Sequence, residues 1–284
     1  MVLAAAEVSR LERLQLATSR RLAGHLSGEH RSPRAGTSLD FAGHRPYTPG
    51  DDLRRVDWPA LARLDTPLVR LFDAEEDRDV RVLVDTSASM GYGGKLRQAV
   101  RLAGALGVVA MARRDATWLH TTARAAPRRF RGSAGVPALL DALADLAPAG
   151  PTALVDAALD LAARPGPPGI SVLVSDLLDE DWEASVRRLA ARGGEAIVAH
   201  VLGEVDLHPD LDGDLDLVDA ETGRSVPVSL SAAARAVYER RVARWLESVA
   251  AACRSAGVEH LVVPAEADIV PLLLGAWRQA GALR

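Results

Sequence analysis

The stretch Val80-Arg81-Val82-Leu83-Val84-Asp85-Thr86-Ser87-Ala88-Ser89-Met90 decides how this chain is read. A short apolar run of β-branched and aliphatic residues reads as a buried strand. It ends on an acid, and a D-x-S-x-S cluster follows. An amphipathic segment opening near Lys95 comes next. The pattern is a strand that stops, a tight loop lined with oxygen atoms, and a helix. Such a loop can hold a cation, hold an anion, or cap the helix through side-chain oxygens on free backbone N–H groups.

Outward from this stretch the chain alternates strands and helices. Leu96, Val100, Ala103, Leu106 and Ala110 predict a helix, Thr117–Leu119 a strand, and Ala123–Phe130 an edge strand. Val136, Leu139, Leu140, Leu143 and Leu146 mark a helix ending before Pro148, and Thr152–Ala163 another. Ile170–Val174, apolar but for Ser171, reads as a strand ending in Ser175-Asp176, followed by a helix over Asp181–Arg192 and a strand over Ala196–Leu202. Residues 204–228 break the alternation, with Leu211, Leu215, Leu217 and Val228 among acids, and read as a β-hairpin insertion. A long helix from Ser231 to Ala256 stops at Gly257. A strand over Val258–Val263 and a helix capped by Asp268 complete the chain. Alternation of this kind predicts an α/β fold, a doubly wound, mostly parallel sheet with helices on both faces.

Residues 1–79 differ. Ala4–Leu26 reads as a helix, with Leu11, Leu14, Leu22 and Leu26 on one face and Arg10, Arg13, Arg20 and Arg21 around it. From Gly28 the chain is rich in Gly, Pro and charge, with turn chemistry at Arg45-Pro46-Tyr47-Thr48-Pro49-Gly50-Asp51-Asp52. Leu68–Phe72 alternates as a strand does, and Asp73–Asp79 reads as a solvated acidic connector. The expected organisation is a helix and irregular arm over 1–79, packed on a main domain over 80–284. Asp51, Asp52, Arg54, Asp57 and Arg63 suit a salt-bridge network that pins the arm or a partner surface, and the turn-rich setting favours the structural role.

Composition narrows the function. The chain has 284 residues, 48% hydrophobic, and a net charge of −4, which argues against a general nucleic-acid binder. Its single cysteine permits no intramolecular disulfide, and a reduced, cytoplasmic setting is expected. The longest apolar stretch, Leu102–Ala112, is too short to span a bilayer, so no intrinsic membrane span is expected.

In an open α/β sheet, ligands bind beyond the carboxyl ends of the strands, where strand order reverses. Asp85 and Asp176 both stand at such ends, and Gly150-Pro151-Thr152 puts a threonine at the start of a helix. Asp85, Ser87, Ser89, Thr152 and Asp176 form an all-oxygen, hard donor set suited to Mg²⁺ or Mn²⁺. Asp85, Ser87 and Ser89 are positioned as direct ligands, Thr152 as a ligand direct or through water, and Asp176 through water. With so few anionic ligands the ion keeps positive charge and an open position, which an acidic side chain of another protein can fill.

The motif Asp85-Thr86-Ser87-Ala88-Ser89, with Thr152 and Asp176 in later loops, resembles the metal-ion-dependent adhesion site (MIDAS) of von Willebrand factor A (vWA) domains. The order of elements from Val80 onward is similar to that fold. The resemblance is closer to the bacterial family called domain of unknown function 58. It is carried by His30-Arg31-Ser32, Asp40-Phe41, Arg45-Pro46-Tyr47-Thr48-Pro49-Gly50-Asp51-Asp52-Leu53-Arg54, Val56-Asp57-Trp58, Ala62-Arg63 and Glu221-Thr222-Gly223. Gly150-Pro151-Thr152 departs from the more usual Gly-Gly-Thr. The resemblance implies a docking or adaptor module that assists complex assembly or chaperone-like work beside a MoxR-type AAA+ ATPase; no base is placed to activate a metal-bound water, so binding rather than enzymatic activity is expected.

Two other functions use the same loops: a Mg²⁺-assisted hydrolase or phosphatase, and a vestigial, purely structural domain. The first lacks a general base and the second acid of an aspartyl-phosphate site. Gly91-Tyr92-Gly93-Gly94-Lys95 is no phosphate loop, because Ser89 and Leu96 stand where a glycine and a Ser or Thr are needed. Asp210, Asp212, Asp214 and Glu221 lack the glycine and flanking helices of an EF-hand and read as the wet face of the hairpin. His120 and His200 lie on strands and read as packed.

Overall fold

The computed structural model describes residues 2–14, 16, 39–74, 78–123, 125–166, 169–279 and 282. In chain order the elements are helix α1 (Ala5–Leu11), strand β1 (Leu39–Pro46), α2 (Trp58–Leu64), β2 (Leu68–Ala74), β3 (Asp79–Val84), α3 (Lys95–Ala112), β4 (Ala116–Thr121), β5 (Arg128–Phe130), α4 (Gly135–Ala144), α5 (Leu154–Ala163) and β6 (Gly169–Ser175). They continue with α6 (Trp182–Ala191), β7 (Gly194–Leu202), α7 (Glu204–Leu207), β8 (Gly213–Val218), β9 (Ser225–Leu230), α8 (Ala232–Ala256), β10 (Glu259–Pro264) and α9 (Ile269–Leu272), which runs into a π-helical turn over Leu273–Trp277.

The central sheet has the order β10-β7-β6-β3-β4-β5. All its pairings are parallel except β4 with β5. The chain starts in the middle at β3, moves outward to β4 and β5, then crosses back to β6 on the other side of β3. The expected doubly wound, mostly parallel α/β sheet is therefore the observed one. The strand order reverses between β3 and β6, so the crevice beyond their carboxyl ends is the switch point of the sheet.

Side-chain alternation along the strands builds two cores. Val80, Val82 and Val84 of β3, with Val172 and Val174 of β6, pack under Leu11, α3, α4 and the C-terminal turn around Leu273 and Trp277. Leu83 and Leu173 point the other way, against Leu154 and Leu161 of α5, Val186 and Leu189 of α6, and Val249 and Cys253 of α8. Helix α3 is buried nearly all round because the sheet, α1, α4 and α9 all meet it. Gly107 lets α3 and α4 close on each other; a β-carbon there would overlap the Leu139 side chain. No helix among the described residues is long and apolar enough to cross a membrane.

The chain separates into two compact units. Residues 39–74 belong to one, and the described residues before 17 and from 78 onward to the other. In the smaller unit β1 and β2 form an antiparallel hairpin with a bulge at Phe41/Gly43. Asp57 caps α2 by accepting the Ala60 N–H at 3.0 Å, and it also accepts from Arg70 (3.0 and 3.1 Å) and bonds His44 (2.8 Å). These contacts hold its carboxyl far below the usual range. A bidentate pair with Arg45 (2.6 and 2.7 Å) and the Thr48 N–H hold Asp51 down at about 2. Of the residues expected to form a salt-bridge network, Asp51 and Asp57 pair with Arg45, His44 and Arg70 and fasten this unit internally, whereas Asp52 accepts the Arg54 N–H and Arg63 donates to the Pro59 carbonyl.

Several boundaries differ from expectation. The first helix stops at Leu11 rather than running to Leu26, with Glu12 as its C-cap. Arg20, Arg21, Leu22, Leu26 and the His30-Arg31-Ser32 motif lie outside the described residues. The edge strand covers only Arg128–Phe130, since the segment before it includes Pro127, which lacks a ladder donor. Asp79 is no solvated connector residue. It opens β3, is 4% exposed, and binds Arg81 at 2.6 Å and Arg129 at 3.5 Å. The insertion begins with the short helix α7, and its hairpin runs to Leu230.

Candidate cation site at the switch point

The loop after β3 carries Asp85, and the loop after the neighbouring β6 carries Asp176. Strand pairing continues into the site, because the Asp85 N–H donates to the Val174 carbonyl at 2.9 Å. A third segment is stitched alongside by two backbone bonds, Ala149 N–H to the Thr86 carbonyl and Ala88 N–H to the Gly150 carbonyl, both 2.9 Å. They bring Thr152 beside the D-x-S-x-S loop, two residues before α5 begins.

Asp85 is fully buried. Its Oδ1 accepts the Ser87 N–H at 2.9 Å and the Thr122 hydroxyl at 3.2 Å, and its Oδ2 accepts the Ser175 hydroxyl at 2.7 Å. Burial pushes its pKa up, the bonds from Ser175 and Ser87 oppose this, and nearby Asp176 adds to the rise. The Ser87 and Ser89 hydroxyls lie 3.0 Å apart, with Ser89 half-buried at the mouth.

Asp176, also buried, is engaged differently. Its Oδ2 receives the ammonium of Lys95, the chain's only lysine, at 2.7 Å. Lys95 is 2% exposed and also reaches Asp206 of α7 at 3.4 Å. Behind Asp176, His200 Nε2 lies 2.9 Å from its backbone carbonyl and Nδ1 lies 3.2 Å from His260 Nε2. A carbonyl only accepts, so Nε2 carries the proton and Nδ1 accepts from His260. Burial, reinforced by His260 and Lys95, pushes the His200 pKa down to about 3. His120, also packed on its strand, is pushed down to about 4 by burial with Arg164, Arg81 and Arg192 around it.

Thr152 has a partner that the sequence reading did not assign. Both its N–H, at 2.9 Å, and its hydroxyl donate to the carboxylate of Glu221, at the tip of the β8–β9 hairpin.

The five residues read from the sequence thus gather at the switch point in two states of engagement. Asp85, Ser87 and Ser89 fit a hard cation. Among the described residues no cation pairs with the buried Asp85 carboxylate, and the Ser87 and Ser89 hydroxyls of the same loop lie 3.0 Å apart, the spacing of about 3.0 Å that neighbouring ligands of an octahedral ion with bonds of about 2.1 Å adopt. Asp176 already has its counter-ion, so any role toward a metal would run through water. Among the described residues no three carboxylates, imidazoles or thiols converge in a way that could hold a metal. A cation here would rest on Asp85 and hydroxyl oxygens, supplying a positive charge at the mouth of the crevice.

Lys95, Asp206, Ser175, Thr122 and Glu221 were not among the residues assigned to the site. One signal was available for Lys95: an ammonium in the first turn of a helix opposes the helix dipole and calls for an acidic partner. Nothing local in the sequence pairs Glu221 with a residue 69 positions away.

Comparison with known proteins agrees with the family resemblance. The model of the family described as protein of unknown function DUF58 matches residues 43–247. The chain belongs to the DUF58 family. Uncharacterized proteins of Mycobacterium bovis and Mycobacterium tuberculosis are 32% identical over 289 residues, covering 96% of this chain and 90% of theirs. Among solved structures, an aerotolerance-related membrane protein from Bacteroides fragilis matches with 17% identity and a TM-score of 0.45, over 72% of this chain and 98% of that one. The conserved hypothetical protein BatB from Bacteroides thetaiotaomicron matches with 14% identity and a TM-score of 0.44, over 72% of this chain and 96% of that one.

Proposed function

We propose that this DUF58 protein is a divalent-metal-dependent protein-binding module. Asp85, Ser87 and Ser89 hold Mg²⁺ or Mn²⁺, Thr152 completes the protein side of the shell, and Asp176 acts through water. The ion then offers an open position to a carboxylate on a partner protein. The observation that carries this reading is the Ser87–Ser89 hydroxyl pair, 3.0 Å apart, beside a buried carboxylate that pairs with no cation among the described residues. A divalent ion would relieve the desolvation that raises the Asp85 pKa.

Binding is favoured over hydrolysis by what surrounds the site. Turnover of a metal-bound water needs a base within reach. His200 is committed to the Asp176 carbonyl and His260, and Asp176 to Lys95. The family resemblance supplies the candidate partner, a MoxR-type AAA+ ATPase, with this chain as adaptor in complex assembly. The test is association of the purified protein with the purified ATPase, followed by biolayer interferometry. The proposal expects binding in Mg²⁺ that is lost in EDTA and in Asp85→Ala. Binding of equal strength in all three conditions would leave the site without a role.

A further inference from the structure

Glu221 presents a carboxylate to Thr152, a residue of the proposed metal shell, at the mouth of the site that an incoming carboxylate must enter. Its Oε2 accepts the Thr152 N–H at 2.9 Å, and its Oε1 accepts the Thr152 hydroxyl. The tip that carries it is built to hold one shape. Asp219 Oδ1 accepts the N–H groups of Glu221 (2.9 Å) and Thr222 (3.3 Å), and its backbone carbonyl accepts the Gly223 N–H at 2.8 Å. Gly223 takes φ +70°, a left-handed turn conformation that glycine adopts without strain. The two strands behind the tip are largely solvent-facing, with Leu217, Val218 and Val226 exposed. Among the described residues, the side-chain hydrogen bonds that tie the hairpin tip to the body of the domain are those between Glu221 and Thr152.

We propose that Glu221 is a resident carboxylate of the site: it holds the position that a partner's Asp or Glu must take, so a partner binds by displacing the hairpin tip. This rests on the metal-dependent binding reading above. Thr152 has one N–H and one O–H to give, and both are taken. Two carboxylates side by side at one pair of donors repel each other, so occupation is exclusive. The free chain is therefore mostly closed, and its affinity for an outside carboxylate is lowered by the fraction of molecules that are open. Displacement frees a tip flanked by Leu217, Val218 and Val226, which suits a partner whose acidic residue is bordered by apolar side chains.

Acetate is the probe. It is titrated into the full-length chain in saturating Mg²⁺, against chloride at equal ionic strength, while the Thr152 amide resonance is followed by NMR. The expectation is a saturable shift in Glu221→Ala, with an apparent affinity at least about tenfold tighter than in wild type, as for a site about nine-tenths closed. Glu221→Gln, which keeps an acceptor and loses the charge, should fall between the two. Mn²⁺ binding followed by electron paramagnetic resonance separates the two levels of the argument. If Mn²⁺ binds wild type and not Asp85→Ala, yet acetate binds wild type and Glu221→Ala alike, the resident carboxylate is wrong and the metal reading stands. If wild type binds no Mn²⁺, both fall.

Discussion

Replacing Lys95 with methionine tests the electrostatics of the site in isolation. The side chain is of similar length and apolar, so it fills the same volume beside β3 and β6 while removing the ammonium. Asp176, 1% exposed, loses the partner that sits 2.7 Å away and, among the described residues, keeps the Leu178 N–H at 3.2 Å on its other oxygen. Removing one member of a buried pair leaves an uncompensated charge and costs about 3–5 kcal/mol. The low end applies here, because Asp206 is partly exposed and its carboxylate can rehydrate. A loss of about 3 kcal/mol corresponds to a melting temperature lower by roughly 6–12 °C for a domain of this size. The assay is denaturant and thermal unfolding by circular dichroism in EDTA. Lys95→Met/Asp176→Asn should recover most of the loss, since the orphaned charge is then gone. Added Mg²⁺ should raise the melting temperature of Lys95→Met more than that of wild type, because the variant returns a free carboxylate to the site. A single variant within about 1 kcal/mol of wild type, or a double variant no more stable than the single, would refute the claim that the pair is buried and mutually dependent.

Three further expectations concern the frame around the site. The depressed His120 pKa of about 4, against about 6.5 unfolded, makes its contribution to stability complete above pH 6.5 and lost progressively as pH falls toward 4. The loss by pH 5 is about 2 kcal/mol, and His120→Gln should lessen the fall in melting temperature between pH 7 and pH 5, leaving the part due to His200; an unchanged slope would contradict this. Gly107→Ala should destabilise by about 1–3 kcal/mol through overlap with Leu139, and a Gly107→Ala/Leu139→Ala pair should relieve the overlap while leaving the cost of the lost leucine. Gly169→Ala should be worse tolerated, since its β-carbon would meet the Asp79 backbone within the sheet, where no rotamer change helps; normal soluble yield and an unchanged melting temperature would count against the β3–β6 register.

What the sequence discloses follows from the range of each interaction. Val80–Val84 and Ile170–Val174 are legible because burial on both faces demands runs that are apolar but for Arg81 and Ser171, and the acids that follow them mark the carboxyl edge of the sheet. The doubly wound order follows from alternation of strands and helices, and Ser231 and Gly257 announce the ends of α8 through local capping chemistry. Asp85, Ser87 and Ser89 come from one loop, so their grouping is local. The engagement of the other two is not. Whether Asp176 faces a metal or a lysine depends on α3 delivering Lys95 across the crevice, and whether Thr152 is open depends on a hairpin inserted between β7 and α8. The length of the first helix is not legible because Leu11, Leu14, Leu22 and Leu26 keep helical spacing, while the structure ends the helix at Glu12 and buries Leu14 in the core that contains α3. Asp79 escapes the sequence because an acid in an acidic run looks solvated until Arg81 and Arg129 are placed beside it.

The most direct measurement is isothermal titration of Mn²⁺ and Mg²⁺ into wild type, Asp85→Ala and Ser87→Ala/Ser89→Ala. A cation held by Asp85 and the two serine hydroxyls predicts one saturable site in wild type, abolished by the first variant and strongly weakened by the second. It also predicts a rise in wild-type melting temperature on metal addition that Asp85→Ala does not share. Wild-type protein that takes up no metal, or a site that survives both variants, would contradict a cation site at the β3–β6 switch point.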